Sequence, residues 1–138
     1  MSIEAKQAEI AEEFSLFDDW QEKLQLVIDT GETLKPMPAE LQTEEHRIHG
    51  CQNKVYLVSS LENGLLRYQG SSEAQIPRGL LALLIRLVNE EKPEEVVQAK
   101  LDVFEKVGIK DTLSMQRAVG LESMIRQVKL EAARHIHS

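Results

Sequence analysis

The 138-residue sequence predicts an α+β fold: a small antiparallel sheet of about three strands packed against several helices. Three observations predict it. Apolar residues recur at helical spacing in the first and last thirds of the chain, as at Trp20, Leu24, Val27 and Ile28. Between them lie two dense β-prone runs, Val55-Tyr56-Leu57-Val58 and Leu65-Leu66-Arg67-Tyr68-Gln69. Asn63-Gly64 joins those runs, a pair suited to the tight hairpin turn whose two central residues need positive φ.

The elements follow in order. Ala5, Ala8, Ile10 and Ala11 among glutamates predict a modest helix from Ile3 to about Phe14. Asp18 or Asp19 caps a second helix, because a short carboxylate accepts hydrogen bonds from free backbone amides. Trp20, the only tryptophan, is placed in the core, and Gly31 at the helix C-cap. Pro36 and Pro38 make residues 32–45 a loop with one turn at Ala39-Glu40-Leu41. Residues 46–50 are expected to add a third strand, and Gly70-Ser71-Ser72 to close the sheet. Pro77 suits the first turn of a helix, where a missing amide hydrogen costs nothing. Leu80, Leu81, Leu83, Leu84, Ile85, Leu87 and Val88 make that helix apolar on most sides, so it is the predicted buried centre. Pro93 begins a short helix, and Gly108 ends the segment after Phe104 and Val107. Asp111 or Ser114 caps a long terminal helix carrying Leu121, Met124, Ile125 and Val128 on one face. His135 and His137 are read as solvated residues at its end.

Bulk properties bound the function. The length suits one domain, residues 1–138, with a single core. Apolar residues make up 42% and charged residues 28%, as in a soluble globular protein. A net charge of −7 argues against nucleic acid, whose phosphates call for basic patches. No apolar run is long enough to span a bilayer, so no membrane partner is expected. The start, Met1-Ser2-Ile3-Glu4-Ala5-Lys6, lacks a signal-peptide pattern, and a single cysteine forms no internal disulfide. A cytoplasmic location is the expectation. Residues 1–50 hold 12 acidic and 4 basic side chains, whereas residues 106–138 hold 3 and 6. Such a dipolar layout either steers a protein partner or reflects two solvated helix faces.

Chemistry concentrates in His46-Arg47-Ile48-His49-Gly50-Cys51-Gln52-Asn53-Lys54-Val55-Tyr56, which holds the only cysteine. Gly50 allows a sharp turn and close approach of a partner. Arg47 and Lys54 are near enough in sequence to favour the thiolate, the nucleophilic form. Two other readings stay open. Cys51 also suits a small buried hydrophobe. Alternatively His46, His49 and Cys51 supply three ligands to a metal or cluster-binding scaffold, although their spacing fits no closed zinc pattern. The chain has no G-x-S-x-G elbow, phosphate loop or dinucleotide glycine pattern. A thiolate with no committed base can still exchange sulfur, because it attacks a sulfur atom directly. That favours a carrier over a stand-alone enzyme.

From the Asp19-Trp20 helix to the terminal helix, the chain resembles the SufE family of sulfur-acceptor proteins. Gly50-Cys51-Gln52-Asn53-Lys54-Val55-Tyr56 is similar to the family's G-C-x-S-x-V-W. Gly70-Ser71-Ser72-Glu73-Ala74 with Arg78-Gly79-Leu80 supports the match. So does Leu113-Ser114-Met115-Gln116-Arg117-Ala118-Val119-Gly120-Leu121, which resembles L-S-x-x-R-x-N-G-L. Asn53, Tyr56 and Val119 stand where the family usually has Ser, Trp and Asn.

The resemblance implies a fold of the SufE and IscU type and no cofactor of the protein's own. It implies that Cys51 takes persulfide sulfur from a SufS-type cysteine desulfurase, raises that enzyme's turnover and passes sulfur to a cluster scaffold. A related branch of the family serves a different desulfurase. The resting cysteine loop is expected to tuck against apolar cover, with Leu57, Leu65 and the Leu80–Leu87 helix as candidates. Arg117 aligns with the family's arginine and either lies near the loop or forms a surface ion pair. The oligomeric state, a homodimer included, is not readable from the sequence.

Overall fold

The segment that is apolar on most sides becomes the centre of the molecule. The computed structural model describes residues 1–136. Helix α3 (Gln75–Val88) buries eleven of its residues, from Ile76 to Val88, and the first two helices, the second strand and the last helix pack against it. Before it come α1 (Ile3–Phe14), α2 (Trp20–Gly31) and the hairpin of β1 (Val55–Glu62) and β2 (Leu65–Ser72). After it come α4 (Pro93–Gln98), α5 (Val103–Lys106) and the long α6 (Met115–Ile136). Short 3-10 turns occupy Ala39–Leu41, Glu44–His46 and Lys110–Thr112. Among the described residues no helix is long and apolar enough to cross a membrane.

The helix ends follow their local chemistry. Ser2 caps α1 by accepting from the Ala5 amide at 3.0 Å, and Asp19 caps α2 by accepting from Gln21 at 2.9 Å. The Ser114 hydroxyl accepts from the Arg117 amide at 3.3 Å at the start of α6. Arg86 on α3 reaches Glu9 and Glu13 of α1, and this pairing depresses the Glu13 carboxyl below its ordinary value.

The sheet is smaller than expected. β1 and β2 pair antiparallel from Val55–Ser72 to Glu62–Leu65 across the Asn63-Gly64 turn, where φ is +54° and +81°. Residues 46–50 form no third strand. They contribute one bridge, Arg47 to Tyr56, and the Ile48 amide donates to the Val55 carbonyl at 2.7 Å. The chain arrives from a 3-10 turn ending at His46 and leaves through Gly50 at φ +99°, so too few residues are extended to continue a ladder. β2 in turn runs longer than its apolar run, through Gly70 to Ser72. A Cβ on Gly70 would lie 2.6 Å from Leu81 Cδ2, so this glycine lets the strand lie close on α3.

Two further expectations are corrected. Gly31 is not a C-cap but the last buried turn of α2, where α2 crosses α3. A Cβ there would lie 2.9 Å from the Gly79 amide nitrogen, and one on Gly79 would lie 2.0 Å from the Val27 carbonyl oxygen. Trp20 is not core: it is 54% exposed, because the crossing lies at the other end of α2 and its first turn projects beyond it.

α6 covers β1 and α3 from the remaining side. The Tyr68 hydroxyl donates to the Val128 carbonyl at 2.7 Å. Burial, with Glu131 nearby, pushes the Tyr68 phenol well above its ordinary value. His135 is not a free solvated residue: its Nε2 lies 2.9 Å from Ser59 Oγ, which donates to the buried Glu131 carboxylate at 2.9 Å. His137 lies outside the described residues.

Candidate functional site

Cys51 sits where the loop between the Arg47–Tyr56 bridge and β1 lies against α6. Gly50 makes this possible twice over. Its positive φ turns the chain, and its missing side chain leaves space for Ser123, whose Oγ would lie 2.3 Å from a Cβ. Cys51 is half-buried, and its thiol donates to the Gly120 carbonyl of α6 at 3.5 Å. Gly120 is the complementary small residue: a Cβ there would meet Cys51 Sγ at 3.5 Å.

A small recess of about 20 Å³ opens beside the sulfur, room for roughly one water-sized group. Pro77 and Leu80 of α3, Met124 and Gly120 of α6, and the side of Arg117 wall it together with Gln52 and Asn53. The apolar cover is therefore Leu80 as expected, but with Pro77 and Met124; Leu57 and Leu65 do not line it. Arg117 lies at this recess. A rim of Met115, Gln116 and Val119 lies on the outer side of Cys51. Met115 is 84% and Val119 53% exposed, so the Val119 that stands for a usual Asn faces solvent.

The electrostatics favour a resting thiol. Burial pushes the Cys51 thiol up, and the Arg47 guanidinium pulls it partly back. The bond to Gly120 acts in the same sense as burial, since only the protonated sulfur can donate it. Of the two cations flagged by sequence, Arg47 acts on the sulfur, whereas Lys54 is exposed.

The histidines do not join Cys51. The His46 ring donates from Nδ1 to the Leu41 carbonyl at 2.8 Å, which ties it to its own turn, and His49 is exposed. Among the described residues no three His, Cys, Asp or Glu side chains come together as a metal site. Sequence reasoning missed Pro77, Met124 and Ser123, which come from helices remote in sequence. Gly120 carried a signal of its own, since a glycine inside a helical pattern marks a close approach.

A family profile described as the SufE Fe–S metabolism associated domain matches residues 8–132. The chain belongs to the SufE family. Membership places it in iron–sulfur metabolism. It is 37% identical over 129 residues to an uncharacterised SufE-like protein of Rhizobium meliloti, covering 90% of this chain and 92% of that one. An uncharacterised SufE-like protein of Synechocystis is 33% identical over 125 residues, covering 91% and 79%. The fold also matches the solution structure of a hypothetical protein from Thermus thermophilus, with a TM-score of 0.80 at 20% identity over 96% of this chain and 97% of that one. At that identity the likeness speaks for the α+β fold alone.

Proposed function

We propose that the chain is a sulfur acceptor and carrier that takes persulfide sulfur onto Cys51 from a SufS-type cysteine desulfurase. Residues 1–138 act as one sulfur-acceptor domain in the cytoplasm, accessory to the enzyme rather than an enzyme itself. The Cys51 thiolate attacks the outer sulfur of the donor persulfide. One S–S bond breaks and one forms, the donor cysteine leaves as a thiolate, and Cys51 becomes Cys51–S–SH. Unloading the donor raises desulfurase turnover, and the carried sulfur then passes to a cluster scaffold.

The observation that carries this reading is the recess. Cys51 is neither sealed in the core nor fully open: it faces a space sized for one more small atom, walled by Pro77, Leu80 and Met124 together with polar side chains, with an exposed rim beside it. Such a site shelters a persulfide from water and stray thiols, while the loop position lets a donor reach it. The thiol–Gly120 bond breaks on deprotonation, so activation and release of the sulfur from α6 are one event.

Intact mass tests it. The protein is mixed with a SufS-type desulfurase and L-cysteine, quenched with iodoacetamide and weighed. The expected result is one added sulfur atom beneath the alkyl group, removed by reductant and absent in Cys51→Ser. No added sulfur from a desulfurase that is itself persulfidated overturns the proposal for that partner; repeating the experiment with a desulfurase of the related branch decides which enzyme it serves.

A further inference from the structure

We infer that the exposed apolar pair Met115 and Val119 is the surface on which a protein sulfur donor docks, and that this donor meets it with an apolar contact flanked by carboxylates. The inference rests on the carrier reading above and names where its partner sits and with what chemistry.

Met115 and Val119 stand four residues apart at the start of α6, so they share one face of the helix. They are 84% and 53% exposed. With Gly50, Cys51, Gln52 and Gln116 they line a shallow concavity of about 400 Å³ on the outer side of the cysteine. Single exposed apolar side chains need no explanation, but two on one face beside a nucleophilic sulfur mark a contact surface. Leu16 and Trp20 are exposed as well, yet neither lines the recess or the concavity at Cys51.

The size of the site places the donor on this surface. The recess beside the sulfur takes about one small group, so it admits a terminal sulfur but not the chain that carries it. During transfer the donor's outer sulfur must touch Cys51 Sγ while its own cysteine and flanking backbone stay outside. The wider space on which Cys51 also opens is the concavity lined by Met115 and Val119.

Charge narrows the partner. The chain carries a net −7, yet residues 46–61 hold Arg47 and Lys54 and no Asp or Glu, and residues 112–121 hold Arg117 and no Asp or Glu. Lys54 and Arg117 are both exposed. Two of the carboxylates that flank these stretches are already engaged: Glu122 meets Lys110 at 2.6 Å, and Glu44 meets Arg47 at 3.6 Å. From α3 the recess receives Pro77 and Leu80, which carry no charge. The segments that hold Cys51 are thus cationic on an acidic protein. A donor with apolar side chains opposite Met115 and Val119, and carboxylates opposite Lys54 and Arg117, complements this face. The acidic remainder of the protein repels the same donor from other orientations.

Titration calorimetry tests the inference. The purified protein is titrated with a SufS-type desulfurase without L-cysteine, so docking is read with no sulfur transfer. The Kd is expected to weaken as NaCl rises, because salt screens attraction between opposite charges. Met115→Gln combined with Val119→Asn is expected to weaken binding about tenfold. Met115→Leu combined with Val119→Ile is expected to retain the parent affinity. Lys54→Glu and Arg117→Glu are each expected to weaken binding severalfold and to flatten its salt dependence. Leu16→Gln, an equally exposed apolar change away from the site, is expected to alter nothing, and circular dichroism confirms that each variant folds. Unchanged affinity in the folded Met115→Gln, Val119→Asn protein overturns the inference. So does an equal loss in Leu16→Gln or in the Leu and Ile pair, a Kd indifferent to salt, or no binding at all. Docking without sulfur gain in the mass experiment sinks the carrier reading alone. Sulfur gain with an affinity indifferent to Met115 and Val119 sinks this inference alone.

Discussion

Two of the close approaches that glycines permit in this molecule use the space in opposite ways. At the α2–α3 crossing, Gly31 and Gly79 bring two backbones together with nothing to spare: a Cβ on Gly79 would sit 2.0 Å from the Val27 carbonyl oxygen. Beside Cys51, Gly50 and Gly120 also let segments meet, yet a Cβ on Gly120 would make only ordinary contact with the sulfur at 3.5 Å. The crossing removes space permanently. The cysteine site keeps some, with the exposed side chains of Met115 and Val119 at its rim. A core gains from contact, whereas the proposed acceptor role of Cys51 calls for room beside the sulfur.

Substitutions at these glycines break or sharpen that contrast. The largest effect belongs to Gly79→Ala. The added methyl meets backbone that cannot rotate away, so a loss of about 3 kcal/mol is expected, read by denaturant unfolding. A loss well under ~1 kcal/mol would mean that the crossing is looser than its geometry implies. Next comes Gly50→Ala, which combines a positive φ with a clash at Ser123. It is expected to cost about 1–2 kcal/mol and to speed Cys51 alkylation, because the loop lifts from α6. Alkylation no faster than in the parent protein would show that the loop does not depend on this turn for its shelter.

Gly120→Ala has the smallest effect on stability and the opposite sign. Alanine is the better helix former and finds no clash, so a gain of roughly 0.5–1 kcal/mol is expected in thermal or denaturant unfolding. Its methyl narrows the recess, so sulfur uptake in the mass experiment is expected to slow severalfold. Stabilisation with undiminished uptake would show that the spare volume is not where the incoming sulfur goes.

The helices and the hairpin were legible because their signals are local. The polar and apolar pattern of residues 75–88, the Asn63-Gly64 turn and the caps at Asp19 and Ser114 each act within a few residues. The errors fall where a distant partner decides. Trp20 continues the apolar stripe of α2, but burial depends on whether another element reaches that turn. Gly31 does close α2, one residue inside the cap, but only the crossing of α3 shows why it has to be a glycine. Ile48 has a strand's side chain, yet the strand stops because the turns on both sides use up its neighbours. His135 reads as a frayed end until β1 brings Ser59 to it.

At the site, the sequence alone marked the candidate reacting group and the turn that presents it. A single cysteine follows a glycine that can turn the chain, two cations lie nearby in sequence, and the surrounding pieces resemble those of one family. Only the tertiary structure decided what surrounds the sulfur. Gly120 lies 69 residues away along the chain, on α6 with Met124, and Pro77 and Leu80 arrive on α3. It also separated the two cations, setting Arg47 partly buried beside Glu44 while Lys54 is exposed. The physical reason is the same for both. Periodicity and turn chemistry are written in neighbouring residues, whereas burial and spare volume exist only between segments that the fold brings together.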